Sequence, residues 1–194
     1  MDSRTTYQHD MSDSDLLAAV ASGDQSAFER LYRLYEKRIF QYVCTLVFDV
    51  ALAEEVVGDT MIAVWRGAGT YGRTARVSTW IFGIARHKAL DAVRRSGRAR
   101  RETELDGAMQ LPNPQADPSE GVLQTEMAGL TQRALAALSR DHQEILRLVF
   151  YEELPYEDIA TLLAIPTNTV KTRVFYAKQQ LKRQLERLGH KETI

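Results

Sequence analysis

A chain of 194 residues with 44% apolar side chains can bury two modest cores, and no run of eighteen or more uncharged apolar residues offers a membrane span. The single cysteine, Cys44, excludes a disulfide framework and a cysteine-based zinc site, and the acidic start MDSRTTYQHDMSDSD does not read as a secretion signal, so a cytoplasmic protein is expected. A net charge of -1 would argue against nucleic acid if the charges were mixed evenly, but they are sorted: residues 86–101 and 167–191 are strongly basic, while 102–132 hold neither Lys nor Arg.

In chain order, Ser12 or Ser14 is expected to cap a first helix that closes at Gly23, and Asp24 caps a longer one. The second helix carries Phe28, Leu31, Tyr32, Tyr35, Ile39, Tyr42, Val43, Leu46 and Val47 in one apolar stripe, with Cys44 read on the buried side. Asp49 opens a third helix with Leu52, Val56, Val57, Met61, Val64 and Trp65 inward and Glu54, Glu55, Asp59 and Arg66 outward. The loop GAGTYGRTAR leads to Ser78 or Thr79 as the cap of a fourth helix, whose later turns are basic. Residues 102–123, with Pro112, Pro114 and Pro118, read as an acidic, disordered linker, and residues 1–11 as a disordered extension. Beyond it four more helices are expected, to about residue 190. The fold class is therefore all-α, with two small helical domains at 12–101 and 124–190 joined by a flexible linker.

The sharpest local signal is YEDIATLLAIPTNTVKTRVFYAK, two helices joined by a short turn. Ala160 allows close helix approach, Pro166 stops the first helix, and Thr167 or Asn168 is placed to cap the second. A DNA-reading helix needs side chains for base edges at its start and cations for phosphates nearby. Thr169, Lys171, Thr172, Arg173, Phe175, Tyr176 and Lys178 meet that need. An ordinary helical hairpin with a solvated basic face is the plain alternative.

These segments together resemble the extracytoplasmic-function (ECF) group of bacterial sigma factors in the sigma-70 family, over about residues 14–101 and 124–188. AEEVVGDTMIAVW (53–65) resembles the helix that docks on the clamp helices of the polymerase's largest subunit, which implies core contacts by Glu54, Glu55 and Asp59. STWIFGIARHKALDAVRR (78–95) resembles the segment that opens and reads the minus-ten element. With the preceding loop, it implies DNA contacts by Tyr71, Arg73, Arg76, Ser78, Thr79, Trp80, Arg86, His87, Lys88, Arg94 and Arg95. TVKTRVFYAK (169–178) resembles the minus-thirty-five reader. The resemblance implies a sigma factor with region 2 and region 4 domains that binds core RNA polymerase at the clamp helices and flap, and that has an anti-sigma factor as a further partner. It also implies promoter DNA as ligand, with no metal, cofactor or enzymatic activity.

The chemistry agrees on separate grounds. Melting needs aromatic walls for displaced bases and cations for the backbone, and Tyr71, Trp80 and Phe82 beside the arginines supply both, although Trp80 also suits a core position. Some positions depart from the family pattern: Gly58 stands where glutamine is common, His87 where asparagine is frequent, and Ala164 and Asn168 replace glycines of the turn, while Phe175 and Tyr176 replace residues often basic or polar. An enzyme finds no support in four scattered histidines, His9, His87, His142 and His190. A stand-alone helix-turn-helix regulator would ordinarily add a ligand pocket or dimer helix, and a sigma-like decoy for an anti-sigma factor would not need both basic blocks.

Overall fold

The computed structural model describes residues 11–47, 49–103 and 122–189, with side chains left aside at 98–103 and 122–128. Four helices form the N-terminal half. Helix α1 (Asp13–Ala21) starts at a reciprocal cap, in which the Ser12 hydroxyl accepts from the Asp15 amide and the Asp15 carboxylate accepts from the Ser12 amide, each at 3.3 Å. Gly23, at φ +89°, supplies the left-handed turn into α2 (Gln25–Val43), which Asp24 caps through the amides of Ser26 and Ala27. Asp49 caps α3 (Val50–Gly67) in the same manner.

Two expectations fail in this half. Helix α4 (Val77–Thr103) begins ahead of Ser78 and Thr79, so neither caps it; the Arg76 carbonyl accepts from the Trp80 amide, and Val77 is buried as the first inward residue. Cys44 is exposed at the C-terminal end of α2, not buried on its stripe. The stripe itself is inward as read. Leu31, Tyr35, Ile39, Met61, Ile81 and Phe82 are among its fully buried members and neighbours, each contributing about 1.5–3 kcal/mol by burial. Phe82 is the hub, meeting Tyr42 edge-on at 5.3 Å and Tyr35 at 6.3 Å. The Tyr35 hydroxyl donates to Asp13, and burial, reinforced by that bond, raises its pKa.

The C-terminal half comprises α5 (Val122–Ala136), α6 (Arg140–Phe150), α7 (Tyr156–Leu163) and α8 (Thr167–Gly189). The Ser139 hydroxyl accepts from the His142 amide to cap α6. Its core is Ile145, Leu148, Ile159, Val170, Val174 and Ala177. Between α7 and α8 the chain turns at Ala164, which sits in the left-handed region at φ 54°. Asn168, by contrast, lies inside α8, which already starts at Thr167, so neither Thr167 nor Asn168 is a cap. Helix backbone reaches two residues into each end of the stretch expected to be the linker; the rest of it, 104–121, lies outside the described residues, as does most of the 1–11 extension.

The fold is thus all-α, with two helical domains and no strand among the described residues. The domains touch. Helix α4 packs on α7 and α2 on α6, and a single buried apolar cluster runs through both.

Candidate functional site

On α3, Glu54 and Glu55 are exposed and Asp59 is half-exposed, all on the side turned from the core. Helix amphipathicity places them: Ala53, Val56, Val57 and Thr60 occupy the inward positions between them. Glu55 lies 3.9 Å from Arg95 of α4, and Asp59 lines a shallow depression with Lys88, Asp91, Arg94 and Arg95. The carboxylates therefore sit beside the basic stretch of α4, one continuous charged face in which acids and bases alternate.

The loop before α4 folds over the start of that helix. Arg73 takes a left-handed conformation at φ 54°, and the Tyr71 hydroxyl donates to the Ala75 carbonyl, closing the loop on itself. The rings of Tyr71 and Trp80 meet at 5.3 Å. They form one wall of a cavity of about 470 Å³ that also reaches Gly83, His87 and Lys88 on one side and Thr161 and Leu162 of α7 on the other. Trp80 is only partly buried, so it serves the core and the cavity together. Gly67 makes this possible: a Cβ there would lie 3.3 Å from the indole edge. Burial raises the pKa of the Tyr71 phenol, so it stays a neutral donor.

The basic residues of this half are deployed unequally. Arg73 and Arg76 are exposed, and Arg94 is ion-paired with Asp91, which His87 also meets through Nδ1 at 3.2 Å. Arg86 is partly exposed and already paired: its Nε donates to Glu144 at 3.0 Å. Thr79 is buried and donates to Asp158 at 2.6 Å. Ser78 is half-exposed.

On α8, Thr169, Lys171, Thr172, Phe175, Tyr176 and Lys178 are exposed, lying opposite the buried Val170, Val174 and Ala177. The Thr172 hydroxyl donates back to the Asn168 carbonyl at 2.9 Å. Arg173 is half-buried and 3.5 Å from Asp141. Phe175 and Tyr176 pack edge-on at 5.5 Å, and the Lys178 ammonium stands 4.8 Å over the Phe150 ring. The result is an open, cationic and aromatic surface at the start of a helix that follows a tight turn, the arrangement that enters a major groove.

The sequence reading missed Glu144, Glu152, Arg38, Arg147 and Asp158, which join the halves. Only one signal pointed at them: Glu144 falls at an inward position of α6, where an unpaired carboxylate would be costly. Among the described residues no three His, Cys, Asp or Glu side chains gather as a metal site requires, and no helix is long and apolar enough to cross a membrane.

Comparison with known proteins matches residues 31–99 to Sigma-70 region 2 and residues 129–181 to Sigma-70, region 4. The chain is 31% identical to the ECF RNA polymerase sigma factor SigL of Mycobacterium tuberculosis over 89% of its own length and 97% of that protein's. It is 27% identical to the RNA polymerase sigma-H factor of Pseudomonas aeruginosa, over 91% and 95% of the two chains. Among solved structures, the fold is similar to a sigma factor RpoE of Bartonella quintana, in complex with the anti-sigma factor NepR, at a TM-score of 0.65 and 23% identity over 82% of this chain and 96% of that one. It is also similar to CnrH, in complex with the cytosolic domain of CnrY, at a TM-score of 0.62 and 21% identity over 90% and 97%.

Proposed function

The chain belongs to the extracytoplasmic-function group of sigma-70 factors, and on that premise we propose a division of labour among its three polar surfaces. As a sigma factor it binds core RNA polymerase, directs it to promoters and promotes melting for initiation. Glu54, Glu55 and Asp59 meet a basic surface of the polymerase, where a carboxylate cluster sets orientation and on-rate. The basic face of α4 and the loop before it hold the separated minus-ten strand. Unstacking a base costs a few kcal/mol, and base–aromatic stacking returns about 1–3 kcal/mol per base. The cavity walled by Tyr71 and Trp80 is where a displaced base gains that return, while Lys88, Arg76, Arg73, Arg94 and Arg95 neutralise the backbone beside it. His87 at its rim, paired with Asp91, contributes to base preference.

The start of α8 reads the minus-thirty-five element. Lys171 and Lys178 take phosphates; Thr169, Thr172, Phe175 and Tyr176 face the base edges, the aromatic pair being suited to thymine methyl groups. The domains straddle the polymerase with the linker between them. Bond-making belongs to the polymerase, and this chain works as a cytoplasmic specificity subunit without metal or nucleotide of its own. An anti-sigma factor of the kind seen with the RpoE relative restrains it.

The observation that carries the reading is the aromatic cavity set among the cations of α4, on a chain that also presents an open helix-turn-helix surface. In vitro transcription of a genomic fragment library with core polymerase, with and without the protein, tests it. Discrete new start sites that depend on the protein are expected. A folded protein that produces none, yet binds duplex DNA alone, would instead be a stand-alone regulator.

A further inference from the structure

The cations Lys171, Arg173 and Lys178 of α8 are held in three different ways. Lys171 is exposed, and among the described residues no carboxylate or ring stands against it. Arg173 is half-buried and faces Asp141 at 3.5 Å. Lys178 is exposed, with its ammonium 4.8 Å from the centre of the Phe150 ring. Arg173 and Lys178 lie about 140° apart around the helix, with the buried Val174 and Ala177 on the inward side between them. Helix α6 therefore passes beneath α8, its first turn emerging at Arg173 on one flank and its last residue, Phe150, at Lys178 on the other.

Phe150 is 50% exposed, while Ile145, Leu146 and Leu148 of the same helix are buried, so packing accounts for only part of its place in the fold. What its outer face does is carry the lysine. A long, flexible side chain loses much rotamer freedom when a phosphate fixes it, and a group that fixes it beforehand lessens that loss. A carboxylate could do so only by offering the lysine the opposite charge, as Asp141 does for Arg173, and it would also repel the incoming phosphate. An aromatic face attracts the ammonium through its quadrupole and carries no net charge. The ring also covers one side only, so N–H donors of the ammonium remain free towards solvent, from which a DNA strand would approach.

We propose that Phe150 is a positioning residue for upstream DNA: its ring holds the Lys178 ammonium at the flank of α8, where it meets a phosphate already placed and with its charge undiminished. Phe150 itself acts through the lysine and not on the duplex. The inference rests on the proposed assignment of Lys178 to a phosphate, and it extends the DNA-binding machinery from α8 to the end of α6.

The test uses the full chain and anisotropy with a labelled upstream duplex. Phe150→Leu should weaken binding about two- to fivefold, the range of an exposed cation–π contact, and Phe150→Trp should bind at least as well as the wild type, because the indole is the stronger partner. In a Lys178→Ala background Phe150→Leu should cost nothing further, whereas in a Lys171→Ala background it should cost the same as in the wild type. In a chain labelled with carbon-13 lysine, ring current should move the ε-methylene protons of Lys178 upfield, and Phe150→Leu should return them to the ordinary lysine position. Circular dichroism verifies that each variant is folded, and the lysine spectrum of the wild type reads the contact without any variant. Wild-type affinity in Phe150→Leu, an equal loss in the Lys178→Ala background, a tryptophan variant as weak as the leucine one, or an unshifted Lys178 resonance would each overturn the inference. Lys178→Ala separates the two readings. Weaker binding with a salt slope lower by about 1, beside an unaffected Phe150→Leu, would remove only the positioning role; unchanged affinity and slope would remove the phosphate assignment and the inference with it.

Discussion

The two surfaces proposed to meet DNA are each built on a basic helix, yet they are kept in different states. On α8 the polar residues have local partners or none: Thr172 bonds within its own helix, and Phe175, Tyr176 and Lys171 face outward. On α4 two of the corresponding residues are bound to the other domain, Arg86 to Glu144 and Thr79 to Asp158. A surface that reads intact duplex can stand exposed, because duplex offers it a rigid target. One that captures unpaired bases is sticky towards any single strand, and covering it confines its use to the moment of melting.

The hardest test of the comparison is to remove the docking face proposed on α3. Changing Glu54, Glu55 and Asp59 together to lysine should abolish co-purification with core polymerase and with it all promoter opening, while helicity and upstream-duplex binding persist. Wild-type yields of co-purified polymerase would show that α3 docks elsewhere. Within α4, Trp80→Ala removes a stacking wall and should slow open-complex formation by about 5- to 150-fold, the equivalent of about 1–3 kcal/mol. Permanganate footprinting would measure it, and an unchanged rate would reduce Trp80 to a packing residue.

On the other surface smaller losses are expected. Lys171→Ala should weaken upstream binding and lower the salt slope by about 1, with Arg173→Ala doing less because Asp141 already holds that guanidinium. Equal slopes for the wild type and Lys171→Ala would remove the lysine from the interface. The smallest effect concerns the turn that aims α8: Ala164 holds a left-handed conformation that glycine adopts without penalty, so Ala164→Gly should stabilise the C-terminal domain by about 1 kcal/mol. Gly58→Ala, inside α3 with open space around the new methyl, should stabilise its helix by a similar amount. Thermal melts of both variants check these signs.

Local physics was legible in the sequence. Ser12, Asp24 and Asp49 cap the helices as their spacing implied, and the inward stripes of α2 and α3 face the core. The misreadings came where a local signal lost to a distant one. Thr79 had the residue type of a cap, but its hydroxyl is taken by an aspartate 79 positions away. Cys44 fits the apolar period of α2, but the helix ends just before it and the side chain turns out. Of the two residues read at glycine positions in the turn, Ala164 carries the left-handed geometry and Asn168 lies in the helix. The polar seam between the halves was barely legible: Tyr42–Glu144 and Arg38–Glu152 join residues more than a hundred apart, and only the inward place of Glu144 on α6 hinted at a partner. The proposed site residues were found by type and order, but whether each was free or occupied was a property of the assembled domains.

The close seating of Trp80 on Gly67 bears on how such a protein diversifies. The indole rests where a Cβ at 67 would come within 3.3 Å, so any larger residue there would force the ring to shift by a few tenths of an ångström. On the proposed reading, such a replacement would resize the berth for a displaced base while leaving every DNA-touching side chain unaltered. Promoter preference would then drift through a residue that never meets DNA, and two descendants with identical contact residues would come to serve different sets of genes.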